Sequence, residues 1–238
     1  MTGLRARLQG FPGTPAPDEI SVPLTWRKAI ARAAILTIAS AASLYIIYVS
    51  WGWTTTPLTL FDGVLSPSNV KSLYPSNWLT MGHASITLLF LLTNLMCRRY
   101  GERLGYAHVF LSGAIAALAA AMLNADIISL AELKAIAYSQ REVISLIIAL
   151  TLGQAFGVTI FEKTRNVDWW NAPAYSALAA TLIAMPVLYV LAYAGADAMW
   201  PHWMAIDIAL KALMSFLLLA PYFLLRPIIR PLTGLGGY

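Results

Sequence analysis

The sequence predicts an all-α membrane protein, a polytopic helical bundle with about six transmembrane helices. Apolar residues make up 59% of the 238 positions and charged residues only 11%, which is too apolar for a soluble domain of this length. The charged residues are confined to short segments, and long apolar stretches separate those segments. Stretches of about 20 apolar residues are long enough to cross the hydrocarbon core of a bilayer as helices.

Residues 1–25 are largely polar and contain several prolines and glycines, so we expect a flexible cytoplasmic tail before the first span. The first apolar segment starts near Ala29 and is longer than the apolar core of a signal peptide, so we expect it to be retained. Residues 26–230 are expected to form one six-helix transmembrane domain. Residues 231–238 are expected to form a short cytoplasmic tail.

Six apolar segments follow one another in this domain, and each is predicted to be one membrane-spanning helix. Ser129 and Glu132 have the spacing of a helix capping box, which is typical of a short helix between the third and fourth segments. Pro186 removes one backbone hydrogen bond from the fifth segment, which predicts either a hinge or a tolerated kink. The six segments are Ala29–Trp51, Trp78–Cys97, Ala107–Ile128, Val143–Ile160, Ala174–Ala194 and Met204–Leu225.

The distribution of Lys and Arg predicts that both termini are cytoplasmic, because positively charged loops stay on the cytoplasmic side of a membrane. With the N-terminus inside, twelve basic residues lie in cytoplasmic segments and three in outer segments. This pattern suits a multi-pass protein of the bacterial inner membrane. The outer residues are Lys71, Lys134 and Arg141, and the cytoplasmic ones are Arg5, Arg7, Arg27, Lys28, Arg32, Arg98, Arg99, Arg103, Lys163, Arg165, Arg226 and Arg230.

Ionisable residues inside a bilayer are costly and are by default candidates for function. Asp207 and Lys211 lie four residues apart in the sixth segment, and therefore on one face of a helix. In one interpretation they form a structural ion pair. In the other, Lys211 contacts a solute or Asp207 exchanges a proton.

Other polar side chains within the segments extend the candidate site. Gln154 lies beside Gly153 and Gly157, and its amide both donates and accepts hydrogen bonds. It suits the edge of a nucleobase, or it forms a hydrogen bond between helices. Asn94 lies near the inner end of the second segment, and His83 lies near the outer end, where we expect contact with water and keep a proton site as the alternative.

The sequence lacks the signatures of several other protein classes. It has no P-loop, no Gly-rich dinucleotide loop and no zinc-peptidase motif, so we expect neither an enzyme nor an ATP-driven pump. One cysteine and three scattered histidines do not make the pattern of a metal or haem site, so we expect no metal and no cofactor. The net charge of +5 is spread beside apolar segments, which favours membrane lipids over nucleic acid as partners.

Several segments, taken in order, resemble the queuosine precursor transporter family (VUT family), six-helix proteins that take up 7-deazaguanine bases for tRNA modification. Leu92-Thr-Asn-Leu-Met-Cys-Arg-Arg-Tyr-Gly101 is similar to the family's Thr-Asp-x-x-Asn followed by Arg, an aromatic residue and Gly. Arg141 and Gln154 stand thirteen positions apart, as the family's Arg and Gln do. The resemblance extends from Trp26 to Arg230 and also includes Ile160-Phe-Glu162, Trp169-Trp170, Asp207, Lys211 and Pro221-Tyr222.

The chain departs from this family where the family tends to have acidic residues. It has Asn94, Gly157 and Ile183 at those positions, and Cys97 replaces an Asn. If the missing acids recognise the donor edge of the base or carry protons, the departures imply a different solute, a different coupling or a loss of transport.

The leading hypothesis is a carrier for a small planar heterocycle, as the resemblance implies. Its cavity is expected to be lined by Asn94, Gln154, Asp207 and Lys211, with Arg141 at the outer mouth. The alternative is a non-transporting membrane subunit or scaffold that kept the fold and binds another membrane protein or further copies of itself. A sealed bundle in which Asp207 pairs with Lys211 and Gln154 pairs with a neighbour favours this alternative.

Overall fold

A computed structural model of the chain describes residues 26–50, 74, 78–124, 140–166, 168–195 and 199–232. The predicted N-terminal tail, most of the loop after the first segment, the predicted helix near Ser129 and most of the C-terminal tail lie outside these residues. Within the described ranges the all-α prediction is confirmed. The helices are α1 (Trp26–Ser50), α2 (Met81–Asn124), α3 (Gln140–Thr164), α4 (Asn171–Tyr193), α5 (Trp200–Leu217) and α6 (Leu219–Leu225).

The helix α2 contains the second and third predicted segments, and the chain reverses between them at Gly101. Gly101 has φ 79° and ψ −175°, a conformation that is essentially restricted to glycine. Contacts with α3 show that the first half of α2 runs parallel to α3 and the second half antiparallel to it, so α2 is a helical hairpin. The contacting pairs are Thr93 with Gln154 and Cys97 with Arg165 in the first half, and Tyr106 with Thr159 and Gly113 with Thr151 in the second.

The tightest approach between α3 and α4 depends on small residues. A Cβ atom built on Gly153 would lie 2.6 Å from the carbonyl oxygen of Ala180 and 2.6 Å from the Cβ of Ala184. Gly157 meets Ser176 in the same way one turn later. This is a Gly-x-x-x-Gly pattern, which allows helix backbones to approach closely in a membrane.

The sixth predicted segment is two consecutive helices rather than one. The chain between α5 and α6 departs from regular helix at Leu218. Pro221 follows three residues later and has no N–H, so it cannot donate to the carbonyl of Leu217 as an ordinary helical residue would. The break therefore has a local cause in the sequence.

Three of the described helical stretches are long and apolar enough to cross a membrane. They are Arg141–Thr164, Asn171–Tyr193 and Trp200–Leu225. Large apolar side chains are exposed on the outside of the bundle, as for Ile38, which is 64% exposed, and such a surface suits lipid rather than water. The protein is therefore a membrane protein, whereas the count of six spans stays a prediction.

One end of the bundle gathers basic residues. Arg165 donates hydrogen bonds to the carbonyls of Cys97 and Arg98, at 2.7 and 3.3 Å. The Nε of Arg98 donates to the carbonyl of Ile229, at 3.1 Å. The turn of α2, the end of α3 and the chain after α6 thus meet at this end, which we call the basic end.

Candidate functional site

A buried ion pair lies in the middle of α5. Asp207 and Lys211 are 1% and 2% exposed, and the Lys211 ammonium donates a hydrogen bond to the Asp207 carboxylate. The Tyr189 hydroxyl donates to the other carboxylate oxygen at 3.3 Å. An ammonium has three N–H donors, and Asp207 is the acceptor that it contacts among the described residues. Two donors of Lys211 therefore remain for another partner.

Aromatic rings lie beside this pair, and Tyr189 connects them to Asp207. Trp78 and Trp203 stack with their ring centroids 6.1 Å apart and their planes 21° apart. Tyr193 meets Trp203 edge-on at 6.1 Å, and Tyr189 lies 5.5 Å from Tyr193. Together with His83, these four rings form what we call the aromatic cluster.

His83 lies inside this cluster, although the sequence led us to expect it at the membrane interface in contact with water. Its side chain is 3% exposed. Its Nδ1 is 3.0 Å from the Thr80 hydroxyl, and its Nε2 is 3.5 Å from the Tyr189 hydroxyl. A chain of polar contacts thus runs from Thr80 through His83 and Tyr189 to Asp207.

Asn94 belongs to a second buried polar group, between α2, α3 and α4. Its Nδ2 donates to the carbonyl of Pro173 at 3.1 Å, and its Oδ1 accepts a hydrogen bond from the Ser176 hydroxyl at 2.7 Å. The same hydroxyl is 2.9 Å from the carbonyl of Gly157. Two of the positions at which the resembling family tends to have acids, 94 and 157, therefore meet at one serine.

Gln154 lies near this group and is also satisfied by the protein. Its Oε1 accepts a hydrogen bond from the Thr93 hydroxyl at 2.7 Å, and its Nε2 donates to the carbonyl of Leu150 at 3.2 Å. The predicted amides thus hold α2, α3 and α4 together in this conformation.

A narrow cavity joins the second polar group to the break between α5 and α6. Its volume is about 10 Å³, too small to hold more than a single water molecule. This cavity can admit a solute only if the helices around it move apart. The cavity is lined by Thr87, Leu91, Asn94, Pro173, Ala177, Ser215, Leu218, Leu219 and Tyr222.

Arg141 lies at the opposite end of the bundle from the basic end and is exposed. It donates to the carbonyls of Leu191 and Ala194, at 2.6 and 2.8 Å. Because the last carbonyls of a helix lack partners within the helix, these bonds cap the C-terminus of α4. Arg141 therefore fixes the end of a helix, and its predicted place at the outer mouth of the site stays a prediction.

The aromatic cluster is the part of the site that the sequence analysis missed. In the sequence, Trp78 and Trp203 lie at or next to the ends of apolar segments, and this position gives no indication that the rings stack on each other. A second signal was available in Tyr189. This residue lies in the fifth segment, 18 residues before Asp207 of the sixth segment. A tyrosine hydroxyl within a membrane span requires a hydrogen-bond partner.

Comparison with protein families gives one match. A family described as "Putative vitamin uptake transporter" matches residues 80–225, a range that contains α2 to α6 and every predicted site residue. No curated protein and no solved structure matches the chain.

Proposed function

The chain belongs to the vitamin uptake transporter family, and on that basis we propose that it carries a small planar heterocycle, such as a 7-deazaguanine base, into the cell. The observation that carries the proposal is the buried Asp207–Lys211 pair. The pair offers an acceptor and unused donors side by side, and aromatic rings lie beside it. Small-solute sites combine apolar walls with a few convergent polar groups in this way.

The ion pair is complementary to the polar edge of a guanine-type ring. Such an edge carries a carbonyl oxygen next to N–H groups. The carboxylate of Asp207 accepts from the N–H groups, while the ammonium of Lys211 donates to the carbonyl oxygen. Trp78, Trp203 and Tyr189 supply faces on which a flat ring stacks.

The proposal requires the closed centre to open. Alternating access in many transporters moves helix groups around a central site that lies beside a discontinuous helix. The break at Leu218 adjoins the central cavity, and Pro186 lies within α4. Helix α4 can bend at Pro186, and the chain can bend between α5 and α6 at Leu218. Separation of Trp78 from Trp203 then opens the path to Asp207.

The proposed orientation places the basic end in the cytoplasm of a bacterium and the aromatic cluster toward the outside. Arg98, Arg165 and Arg226 then face the side on which positive charge accumulates. Both termini are cytoplasmic in this arrangement. The solute reaches the aromatic cluster first and leaves at the basic end.

Equilibrium binding to the purified protein tests the proposal. We expect a labelled 7-deazaguanine precursor to bind saturably in detergent, and the double variant Asp207→Asn/Lys211→Met to bind at least about tenfold more weakly, because each lost charge-assisted hydrogen bond contributes about 1.5 kcal/mol or more. Ser43→Ala is the control, because the Ser43 hydroxyl bonds only within α1. Equal binding by the double variant, or no binding by monodisperse protein, contradicts the proposal.

A second candidate function is a non-transporting membrane subunit. It is favoured by the satisfied amides of Asn94 and Gln154 and by the small volume of the central cavity. In this case the protein, extracted from its own membrane in mild detergent, retains a partner at fixed stoichiometry and binds no heterocycle. Isolation as a lone, heterocycle-binding protein excludes this candidate.

A further inference from the structure

A second, larger pocket lies at the basic end, away from the proposed solute site. Its volume is about 480 Å³. Three of its lining residues are arginines, and none is acidic. The lining residues are Arg98, Phe223, Leu224, Arg226, Pro227 and Arg230.

Two of these arginines are held in place by the backbone. The Nε of Arg98 donates to the carbonyl of Ile229 at 3.1 Å, and the Nε of Arg230 donates to the carbonyl of Pro227 at 3.1 Å. An arginine side chain otherwise loses considerable conformational freedom when it binds an anion. These bonds therefore orient two guanidinium groups in the pocket wall before an anion binds.

Arg226 lacks an acceptor in the described structure. Its Nε is buried and has no hydrogen-bond partner within the described residues. The guanidinium lies over the rings of Trp169 and Phe223, at 5.3 and 5.9 Å, which compensates part of its charge. Burial and the neighbouring Arg98 guanidinium lower the pKa of Arg226. A buried donor without a partner is costly, so the Nε of Arg226 favours an anionic acceptor in this pocket.

One acid at the basic end, Glu162, has its partner outside the pocket lining. Glu162 forms an ion pair with Arg165 at 3.1 Å, and neither residue lines the pocket. Among the described residues, Arg226 is the lining arginine whose buried Nε has no acceptor, and an external anion would satisfy that donor. Phosphate groups match arginine forks particularly well because two parallel N–H···O bonds can form.

The apolar part of the lining indicates which kind of molecule carries the phosphate group. Phe223 and Leu224 are 51% and 69% exposed, and Ile228 beside them is 75% exposed. They continue the apolar outer surface of the bundle beyond α6, where acyl chains of a membrane would lie. We infer that this pocket binds a phosphate group, carried by an anionic phospholipid whose acyl chains lie along Phe223 and Leu224.

Lipid titration of delipidated full-length protein in a non-ionic detergent tests this inference, with binding measured by native mass spectrometry. Phosphatidylglycerol is the anionic probe, phosphatidylcholine the zwitterionic one, and inorganic phosphate the soluble one. We expect phosphatidylglycerol to bind wild-type protein, and Arg226→Gln and Arg230→Ala each to bind it at least about fivefold more weakly. Arg103→Ala is the matched control, because Arg103 is basic, exposed and at the same end, and does not line the pocket.

Each outcome decides the inference. Selective loss in the two pocket variants, with Arg103→Ala unchanged, supports it, and competition by inorganic phosphate then shifts the assignment to a soluble phosphate compound. Equal loss in all three variants means that the basic end attracts lipid only through diffuse charge and overturns the inference. Wild-type binding by both pocket variants also overturns it. Arg230 is exposed, so Arg230→Ala keeps the test valid even if Arg226→Gln fails to fold. The inference does not depend on transport activity.

Discussion

At the scale of single residues, the centre of the protein is organised by polar groups that neutralise one another. Asp207 pairs with Lys211, and Ser176 bonds both Asn94 and the carbonyl of Gly157. Unpaired polar groups are costly in such surroundings. Loss of one member of a pair should therefore do more damage than replacement of the whole pair.

Substitutions at Asp207 and Lys211 should follow this rule. We expect Asp207→Asn to lower the free energy of unfolding by about 3–5 kcal/mol, because it leaves a buried ammonium without its counter-ion. Asp207→Asn/Lys211→Met should recover most of that loss, since an apolar replacement of the whole pair is often close to neutral. Thermal unfolding in detergent measures both effects. A double variant that is stable and still transports would make the pair purely structural.

Ser176→Ala tests the second polar group. It removes the single O–H donor that lies within reach of both Asn94 and the carbonyl of Gly157, so we expect a loss of about 1–3 kcal/mol, chiefly because Asn94 Oδ1 loses its donor. Ser145→Ala is the control, because Ser145 is also buried but its hydroxyl bonds only the carbonyl of Arg141 in its own helix. Equal unfolding temperatures for the two variants would contradict the assigned role of Ser176.

The sequence identified the buried polar residues of the site but not the residues that they contact. Asp207, Lys211, Gln154 and Asn94 were identifiable because polar side chains stand out in apolar segments. Their partners were not, because Ser176 lies 82 positions from Asn94 and a serine in a membrane helix is unremarkable. The proposed role of these residues in solute binding stays a prediction.

At the scale of elements, turns and breaks determine how the helices meet. The hairpin of α2 reverses at Gly101, and the break at Leu218 separates α5 from α6. The hairpin brings the basic residues around Arg98 to the end of α3. The break adjoins the central cavity, so both features position a proposed site.

Gly101→Ala should strain the hairpin. An alanine at φ 79° and ψ −175° lies in a region essentially restricted to glycine, so we expect a loss of about 1–3 kcal/mol. Glu102→Ala, at the next position in exposed regular helix, should change the unfolding free energy by no more than about 0.5 kcal/mol. Chemical unfolding in mixed micelles compares the two. No loss in Gly101→Ala would mean that the chain does not take this turn.

The positions of the helices were largely predictable, whereas their ends and breaks were not. Apolar periodicity places α3 and α4 within a few residues of Val143–Ile160 and Ala174–Ala194. The α5–α6 break was missed because Pro221 lies near the end of a long apolar run, where hydropathy alone does not change.

At the scale of the whole molecule, the described residues pack closely around the proposed site. Tyr189 of the aromatic cluster bonds Asp207, and the cavity beside Asn94 has a volume of only about 10 Å³. A carrier must therefore pass through a conformation in which the cluster separates. In the proposed orientation, the stacked pair of Trp78 and Trp203 lies toward the outside and is the contact that we expect to separate.

A cross-link across this contact should block uptake. In a Cys97→Ser background, which removes the sole cysteine, Trp78→Cys/Trp203→Cys treated with a short bifunctional methanethiosulfonate reagent should lose most of its uptake. Reduction should return uptake to the level of the untreated double variant, because only the linker holds the two positions together; the untreated double variant separately measures the loss of the two stacking rings. The single variants, treated in the same way, are the controls. Unchanged uptake in the cross-linked protein would contradict the proposed gate.

The most direct test of the central claim is uptake of a labelled 7-deazaguanine precursor by cells that lack their own carrier. Wild-type protein, Gln154→Ala, Lys211→Ala and the control Ser43→Ala are expressed at matched levels. We predict accumulation with wild-type protein and Ser43→Ala, and little or none with Gln154→Ala and Lys211→Ala. No accumulation by correctly folded wild-type protein, or equal accumulation by all four, would contradict a carrier that binds its solute at this centre.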